Sequence, residues 1–385
     1  MSLLWPANEQ DISADAGRLH ALVIGVADYP HLLGGGGPTA KDPLNLTQVT
    51  TPRYTAERVA AWLQHEYVNP QAPLGSVEWL VSGQPGNQAD PATMDRIVKA
   101  ANRWKRRCDT HRDNVAFFYF CGHGLAKDYQ FLLPQDFGDP DYDNAWEHCI
   151  NFDHLRTGMR SCKADTQLFF VDACRETPFG MLDDLAVTGR AIFSAEVSDV
   201  ASTVATFYAT VEGKQAFGPP DGPTYFCDAL LSCLGGPGAV NESGQWVVNT
   251  FSLASAMGQA SPIFSLRHRK TLSWASDVSG QPRTLHVPGK ASVFASLSCS
   301  SPAADAVAEL VLRGPGPESR SPAGSPRPVV FELAPGMWQV EVTFPGGQFP
   351  GPLTQDHMLF PPVFKGVKWP GAATSPSAST TTCRP

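Results

Sequence analysis

The sequence predicts an α/β fold built on a mostly parallel sheet that is flanked by helices and followed by a small C-terminal β-sandwich domain. Through the first 283 residues, short continuous apolar runs alternate with amphipathic helical patterns, which is typical of parallel sheets covered on both faces. Beyond that point, β-rich runs separated by turns replace the helical periodicity. The chain has 385 residues, 42% hydrophobic and 17% charged, so it is long enough for two or three domains and apolar enough to fold.

Five buried strands are predicted from continuous apolar runs, with helices between them. The predicted strands cover residues 20–27, 77–81, 115–121, 167–171 and 204–208, and a short strand covers 129–133. The predicted helices cover residues 51–63, 90–104, 153–159, 224–234 and 251–257. The first helix is expected to have Thr51 as its N-cap and Pro52 in its first position, because proline needs no hydrogen-bond acceptor there.

The region 284–370 is expected to be a β-rich accessory domain, followed by a disordered tail at 371–385. Its predicted strands are 293–297, 308–312, 329–333 and 338–344, and 314–328 is expected to be a long flexible loop. The turn between Leu333 and Trp338 contains Pro335 and Gly336 and predicts a hairpin. The tail is rich in Ser, Thr and Ala and has too little apolar material to pack.

The charge balance bears on partners and compartment. With 29 Lys and Arg against 37 Asp and Glu, the net charge of −8 argues against nucleic acid or an anionic membrane as a partner. No basic leader precedes an apolar stretch and no apolar run reaches membrane-spanning length, so we expect a cytoplasmic protein. The nine cysteines contain no C-x-x-C pair, and we therefore predict no disulfide framework, metal or cofactor.

Two reactive side chains follow directly on two of the predicted buried strands. His123 stands between Gly122 and Gly124 just after strand 115–121, and Cys174 comes shortly after strand 167–171. Because open α/β sheets place their sites at the carboxyl ends of the strands, these two tips should be neighbours. An imidazole within hydrogen-bond reach raises the thiolate fraction of a cysteine at neutral pH. The pattern therefore predicts a nucleophile and its base rather than a packed cysteine and a structural histidine.

These residues resemble the caspase-like cysteine peptidases, the group that contains caspases, paracaspases, metacaspases and their bacterial relatives. Caspases carry their histidine about 50 residues before the cysteine, and here 51 residues separate His123 from Cys174. The resemblance spans the expected peptidase domain, residues 1–283, from about residue 18 onward. It implies a large-subunit part at about 18–180, a linker at about 181–200 and a small-subunit part at about 201–283.

The resemblance implies a mechanism and its residues. Cys174 would attack the peptide carbonyl, His123 would move the protons, and the backbone amides of Gly124 and Cys174 would hold the oxyanion. The family typically works with a dyad, so no third catalytic member is assigned. The implied partner is a protein or peptide substrate, with an activating protein or protease as a further candidate partner.

Asp172 stands where caspases proper have glutamine, as it does in metacaspases. A buried carboxylate in the primary pocket would pair with Arg or Lys, so cleavage after a basic residue is predicted. A loop-capping role for Asp172, and a peptidase that cuts after Asp, remain the alternatives. Asp28 or Asp42 would have to replace a second acidic pocket residue that the first helix lacks. Cys121 replaces the serine common before Gly-His-Gly and is a candidate substrate contact, although packing within its strand is the simpler interpretation.

Arg190, near Asp183 and Asp184, is a candidate autocleavage site in the linker, with an ordinary solvated linker as the alternative. Bacterial relatives often act as regulated effectors in stress, cell-death or antiphage responses, and the resemblance implies such a role. No EF-hand loop is present, so calcium is not predicted. A catalytically silent scaffold of the same fold, and an acyltransferase or ligase that uses the same dyad, are the competing functions.

Overall fold

The computed structural model describes residues 2–6, 15–83, 89–178, 181, 187–194 and 201–366. Its contacts divide the chain into two compact units, Met1–Gly289 and Lys290–Pro385. The sequence-based boundary lay after residue 283, but the strand Thr284–His286 pairs with Gln245–Asn249 and so belongs to the first unit. The predicted tail at 371–385 and most of the predicted linker at 181–200 lie outside the described residues.

The first unit combines strands and helices. In chain order they are β1 (Leu3–Trp5), β2 (Leu19–Gly25), α1 (Thr51–His65), β3 (Leu74–Val81), α2 (Met94–Cys108), β4 (Val115–Cys121), β5 (Gly124–Ala126), β6 (Gln130–Leu132), β7 (Ile150–Asn151), α3 (Phe152–Met159), β8 (Thr166–Asp172), β9 (Thr203–Tyr208), α4 (Tyr225–Leu234), β10 (Val240–Glu242), β11 (Gln245–Asn249), α5 (Thr250–His268), β12 (Ala275–Gly280) and β13 (Thr284–His286). The alternation of strand and helix from β2 to α4 is the one that the apolar runs predict.

A seven-stranded sheet in the order β1-β3-β2-β4-β8-β9-β12 forms the centre of this unit. Its five inner strands are parallel, and β1 and β12 pair antiparallel at the two edges. Every residue of β2, β4 and β8 is buried, as continuous apolar runs require in a sheet covered on both faces. The predicted mostly parallel sheet is confirmed. The edge strand β12 was not predicted, because Ala275–Gly280 is largely exposed and lacks an apolar run.

Two helix starts differ from the prediction. The N-cap of α1 is Thr50 rather than Thr51, which moves Pro52 to the second helical position. The helix α2 begins at Met94 rather than near residue 90, because Asp90 forms a β-bridge with Leu80 and so continues the sheet. The predicted helix 224–234 corresponds to α4, and its first predicted residue, Thr224, is the N-cap, since its hydroxyl accepts from the Cys227 amide at 3.1 Å.

A second, three-stranded sheet in the order β5-β6-β7 follows the carboxyl end of β4. The strand β5 begins one residue after His123, so this small sheet carries the histidine at its start. Leu125 of β5 also bridges to Glu176, two residues beyond Cys174. The small sheet is therefore bonded to the segment that carries the cysteine. A separate three-stranded sheet, β10-β11-β13, completes the unit.

The second unit is a sandwich of two sheets around one core. Its elements are β14 (Val293–Leu297), α6 (Pro302–Val307), β15 (Glu309–Arg313), β16 (Ser319–Ser321), β17 (Val329–Leu333), β18 (Gly336–Thr343), β19 (Leu353–Leu359) and β20 (Val363–Gly366). The sheets have the orders β17-β14-β20 and β16-β15-β18-β19. Side chains from both, among them Val293, Leu310 and Trp338, share one buried cluster, as a sandwich requires.

Two details of the predicted β domain are wrong. The strands β17 and β18 do not form a hairpin, because β17 pairs with β14 while β18 pairs with β15 and β19 in the other sheet. The segment from Leu333 to Trp338 instead connects the two sheets. The expected loop at 314–328 contains the short strand β16, which pairs with β15. Serine and arginine in this strand gave no apolar signal in the sequence.

Candidate active site

The strands β4 and β8 bring His123 and Cys174 to the same edge of the sheet. The two strands are parallel neighbours, and their last residues, Cys121 and Asp172, stand opposite each other. His123 and Cys174 each lie two residues beyond these paired ends. The strand register therefore places the two reactive residues at the matching ends of adjacent strands, which is the arrangement that the sequence predicts.

The imidazole of His123 is held by groups that fix its tautomer. Its Nε2 lies 2.6 Å from the carbonyl oxygen of Thr47, and because a carbonyl only accepts, Nε2 carries the proton. Nδ1 is then the acceptor, as a general base requires. The ring packs 4.8 Å, centroid to centroid, from the ring of Tyr29, whose hydroxyl accepts from the His123 amide at 2.7 Å. Burial lowers the pKa of His123, with the Thr47 carbonyl opposing, so the imidazole is neutral at pH 7.

The thiol of Cys174 is half-buried and accepts a hydrogen bond from the Ala216 amide at 3.3 Å. Burial raises the pKa of this thiol, the Ala216 amide opposes that shift, and the charges of Glu176 and Asp172 add to it. In this conformation the resting pair is therefore a neutral thiol and a neutral imidazole. Attack on a carbonyl then requires removal of the thiol proton by a base, which is the chemistry an imidazole with a free Nδ1 supplies.

Both glycines beside His123 stand where a side chain would collide. A Cβ at Gly122 would lie 2.8 Å from the hydroxyl of Tyr29. A Cβ at Gly124 would lie 2.7 Å from the Cβ of Ala173 and 2.8 Å from the carbonyl oxygen of Cys174. The Gly-His-Gly sequence thus allows the hairpin that follows His123, formed by β5 and β6, to contact the segment that carries Ala173 and Cys174 directly. Close packing is therefore a second reason for glycine at these two positions, in addition to the oxyanion role that the resemblance implies for Gly124.

The two amides assigned to the oxyanion remain a prediction that the backbone bonding permits. The Leu133 amide donates to the His123 carbonyl, which makes Gly124 and Leu132 a non-hydrogen-bonded pair of the antiparallel ladder. The ladder therefore does not use the Gly124 amide. Within the described ranges, no backbone acceptor is recorded for the amide of Cys174 either.

Asp172 is 2% exposed and ends β8, two residues before Cys174. Its Oδ2 accepts from the Tyr119 hydroxyl at 2.7 Å and from the Thr224 hydroxyl, while its buried Oδ1 has no hydrogen-bond partner in the described part of the chain. Burial raises the pKa of Asp172 to about 6, although Thr224, Tyr119 and Cys121 oppose the shift. The carboxylate is thus mostly ionised at neutral pH, with only neutral donors around it.

Two further candidates for the pocket, Cys121 and Asp28, lie in different surroundings. Cys121 is buried beside Asp172 and Thr55, and burial raises the pKa of its thiol well above the ordinary range, so it is a packed strand residue. Asp28 instead accepts a hydrogen bond from the Gln135 amide group at 3.1 Å. Among the described residues no contact joins Asp28 to Asp172. The structure brings Cys121 and Asp172 together and leaves Asp28 with other partners.

Arg190 has an exposed side chain whose NH1 lies 3.7 Å from the Asp95 carboxylate. Its main chain is bonded in a β-bridge: its amide donates to the Cys149 carbonyl at 2.8 Å, and its carbonyl accepts from the Asn151 amide at 3.2 Å. Cleavage after Arg190 would require these two bonds to open. Asp183 and Asp184, the acidic residues of the same predicted linker, lie outside the described residues.

Three contacts at the site were not found from sequence. Thr47 and Ala216 act through a main-chain carbonyl and a main-chain amide, for which residue identity carries no signal. Gln130 bonds to Cys174 and Arg175 through its side chain. Gln130 lies within the short strand predicted at residues 129–133, where a glutamine beside Phe131 is typical of an ordinary edge position and indicates no functional role.

Within the described ranges, no three His, Cys, Asp or Glu side chains converge as a metal-binding group would. The longest described helix is α5, and neither it nor another described helix is apolar over the length that a membrane span needs.

A parallel sheet with a histidine hairpin after one strand and a cysteine after the next defines a class, the caspase-like cysteine peptidases. A family model of the caspase domain matches residues 18–271, about two thirds of the chain. The chain therefore belongs to the caspase-domain family, which consists of cysteine peptidases. The fold class and the family inferred from sequence are thereby confirmed.

Two curated relatives match parts of the chain. An uncharacterized protein, y4kE, from Sinorhizobium fredii is 28% identical over 207 residues, which cover 50% of this chain and 59% of that protein. A probable protease from a Desulfuromonadales bacterium is 32% identical over 99 residues, or 24% of this chain and 12% of that protein. The chain thus spans less than two thirds of either relative.

Two solved structures are also similar. Caspase-1 from Spodoptera frugiperda has a TM-score of 0.42 at 12% identity, covering 72% of this chain and 95% of that one. Protein GSU0716 from Geobacter sulfurreducens has a TM-score of 0.42 at 13% identity, covering 70% and 97%.

Proposed function

We propose that the protein is a cysteine endopeptidase that hydrolyses peptide bonds after Arg or Lys, with Cys174 as nucleophile and His123 as its base. The observation that carries the proposal is the register of β4 and β8, which aligns Cys121 with Asp172 and so sets His123 and Cys174 at matching strand ends. The tautomer of His123 supports it, because Nε2–H donates to the Thr47 carbonyl and leaves Nδ1 without a proton and able to accept one.

The reaction follows from these groups. Nδ1 of His123 takes the proton of the Cys174 thiol as Sγ attacks the substrate carbonyl, and the amides of Gly124 and Cys174 receive the oxyanion. His123 then returns the proton to the leaving amine, which breaks the peptide bond and leaves a thioester. Water, activated by His123, hydrolyses the thioester and restores the thiol. The Thr47 carbonyl stabilises the imidazolium formed in between, because its bond to Nε2–H becomes charge-assisted.

The preference for a basic residue rests on Asp172. Its buried Oδ1 has no partner in the described part of the chain, and its Oδ2 accepts from the hydroxyls of Tyr119 and Thr224, so the described groups around it are neutral. A substrate guanidinium or ammonium would supply the charged donor that this carboxylate lacks. An aspartate side chain would be repelled by it, which argues against the alternative of cleavage after Asp.

A fluorogenic peptide panel that varies the residue before the cut tests the proposal. We expect wild type to cleave after Arg and Lys, and Cys174→Ala and His123→Ala each to lose roughly a thousandfold or more in rate while remaining folded. Cys299→Ala, in the second unit, serves as the matched control and should keep full activity. Cleavage by folded Cys174→Ala at the wild-type rate would refute the nucleophile.

The same assay separates the competing functions. A silent scaffold would cleave no peptide, and an acyltransferase would transfer the peptide to an added amine in preference to water. The family resemblance extends the proposal to a regulated effector in stress, cell-death or antiphage responses. Phage challenge of cells that express wild type or Cys174→Ala tests that role, and protection that persists in Cys174→Ala would contradict it.

A further inference from the structure

One glutamine joins the hairpin that carries His123 to the segment that carries Cys174. Gln130 begins β6 and is 3% exposed. Its Nε2 donates to the carbonyl oxygen of Cys174 at 3.1 Å, and its Oε1 accepts from Nε of Arg175 at 3.1 Å. Both ends of a single buried amide are therefore bonded to two consecutive residues of the nucleophile segment.

The chemistry of these partners requires an amide in one orientation. The Cys174 carbonyl only accepts and the Arg175 guanidinium only donates, so the donor and the acceptor end of Gln130 are both determined. A glutamate in its place would keep the acceptor for Arg175 but turn a second acceptor toward the Cys174 carbonyl. A methionine of similar size would satisfy neither partner.

The opposite side of the nucleophile segment is held by the chain around residue 214. The Arg175 amide donates to the Lys214 carbonyl at 3.1 Å, the Gly213 amide donates to the Arg175 carbonyl at 2.9 Å, and the Ala216 amide donates to Sγ of Cys174. These bonds tie the segment to the chain that follows β9. On the side of the base, the bridge between Leu125 and Glu176 ties the segment to the hairpin two residues beyond Cys174, whereas Gln130 bonds to the carbonyl of Cys174 itself. Gln130 is therefore the hairpin side chain whose bond lies nearest to the thiol.

We propose that Gln130 is a positioning residue that fixes the main chain of Cys174 relative to the hairpin of His123. The Cys174 carbonyl lies directly beyond its Cα, so an anchor on that oxygen limits rotation about the Cα–C bond and holds the direction of the side chain. A misplacement of about 1 Å in an active site can reduce the rate a hundredfold, so a bond of this kind affects turnover far more than substrate binding. This inference rests on the proposed function in that Cys174 is taken as the nucleophile.

The test compares Gln130→Met and Gln130→Glu with Gln167→Met in the full chain. Gln167 is a matched control, because it is 0% exposed and its Nε2 donates to the Met159 carbonyl at 2.8 Å, near the far end of β8. For each folded variant, kcat and KM are measured on an Arg-ending fluorogenic peptide. The rate of iodoacetamide alkylation of Cys174 is followed against pH by mass spectrometry of the peptide that contains it.

We expect both Gln130 variants to lose about tenfold or more in kcat while KM stays within about threefold, and Gln167→Met to match wild type. In Gln130→Met the alkylation midpoint should move to higher pH, because a Cys174 carbonyl that is free to rotate lets Sγ move away from the Ala216 amide, which stabilises the thiolate. Gln130→Glu keeps the acceptor for Arg175 but loses the donor to the Cys174 carbonyl. An equal loss of kcat in both variants therefore assigns the effect to the hydrogen bond with the Cys174 carbonyl.

The proposal is overturned if folded Gln130→Met has the kcat and the alkylation midpoint of Gln167→Met. If Gln130→Met does not fold, Gln130→Glu decides by the same comparison of kcat. If wild type cleaves no peptide at all, the proposed function fails, whereas the alkylation midpoint still supports or overturns the role of Gln130.

Discussion

Two carboxylates are buried in the same sheet, and they differ in what surrounds them. Glu78 on β3 is 0% exposed and receives hydrogen bonds from Ser2, Arg103 and Arg107, with the Arg103 NH2 3.0 Å from Oε2. Asp172 at the end of β8 is 2% exposed, but its donors are neutral hydroxyls and its Oδ1 has no partner in the described part of the chain.

The two pKa values move in opposite directions for this reason. Burial alone would raise the pKa of Glu78, but the hydrogen bonds from Arg103, Ser2 and Arg107 together lower it. For Asp172 burial prevails and raises the pKa to about 6. A buried charge with charged partners serves the fold, whereas a buried charge without one is available for a cation from outside. The comparison thus separates a carboxylate with charged partners from one without them, which is the contrast that the proposed pocket role of Asp172 depends on.

Removal of the Glu78 charge should have the largest effect, and it should act on stability alone. Glu78→Gln removes the buried carboxylate that accepts from Arg103 and Arg107, and loss of one partner of a buried pair costs about 3–5 kcal/mol. We expect the free energy of unfolding, measured by urea titration, to fall by that amount while kcat/KM per folded molecule stays unchanged. Because the pKa of Glu78 is lowered, its contribution is present above its ordinary value of 4.5 and is lost as pH falls through the folded value.

Glu66→Gln provides the control for this prediction. Glu66 pairs with Arg58, but both side chains are well exposed, at 51% and 42%, and exposed pairs contribute little. An equally small loss of stability in Glu78→Gln would remove the distinction between the two carboxylates.

Neutralisation of Asp172 should lower activity more than stability, which is the reverse of the effect expected for Glu78→Gln. We expect Asp172→Asn to reduce kcat/KM on Arg-ending peptides by on the order of 100-fold, because a substrate cation loses its buried charged partner. Its stability should change by no more than about 1–3 kcal/mol, because no ionised group remains buried and the amide oxygen still accepts from Tyr119, while the amide NH2 takes the place of an oxygen that has no partner in the described part of the chain. Asp28→Asn is the control and should keep the preference for Arg, because Asp28 contacts Gln135 instead. A stable Asp172→Asn with unchanged preference would refute the specificity assignment.

The sequence predicted the parts of this site that depend on strand ends. The uninterrupted apolar runs before His123 and Cys174 located both residues at one edge of the sheet, because parallel strands with short loops leave few alternatives. Asp172 was singled out by the family resemblance, because it stands where caspases proper have glutamine. The family resemblance added the roles, which no periodicity or spacing contains.

What the sequence could not predict depends on contacts between distant segments. Thr47 reaches His123 across 76 residues through a carbonyl, which every residue has. The pairing of Glu78 with Arg103 and Arg107 needs the packing of α2 on β3, and Glu78 stands in an otherwise apolar strand. The hairpin predicted at Leu333 failed because turn residues indicate that the chain reverses, without indicating which sheet it joins.

The pH dependence should distinguish the two carboxylates in a single protein. As pH falls through about 6, Asp172 takes up a proton, so KM for Arg-ending peptides should rise by roughly tenfold per pH unit below that value. Burial lowers the pKa of His123, so kcat should hold to lower pH than it would with an ordinary histidine as the base. The fold should also hold, since Glu78 remains ionised there. A fall in kcat with constant KM would mean that a group other than Asp172 titrates.

The smallest effect concerns a single hydroxyl. Tyr119→Phe removes one of the donors that stabilise the Asp172 carboxylate, so the pKa of Asp172 should rise further and the KM transition should move to higher pH. One neutral hydrogen bond contributes on the order of 1 kcal/mol, which corresponds to a change of about 0.7 in pKa. At pH 5, where the Asp172 carboxyl is mostly protonated, we therefore expect KM for an Arg-ending peptide to increase about fivefold with kcat unchanged, and at pH 7 to increase by less than about twofold. Tyr67→Phe, which removes a buried hydroxyl bonded to the Ala72 carbonyl, is the matched control and should leave the transition in place. If the transition does not move in Tyr119→Phe, the hydroxyls around Asp172 do not tune its charge, and the contrast with Glu78 rests on burial alone.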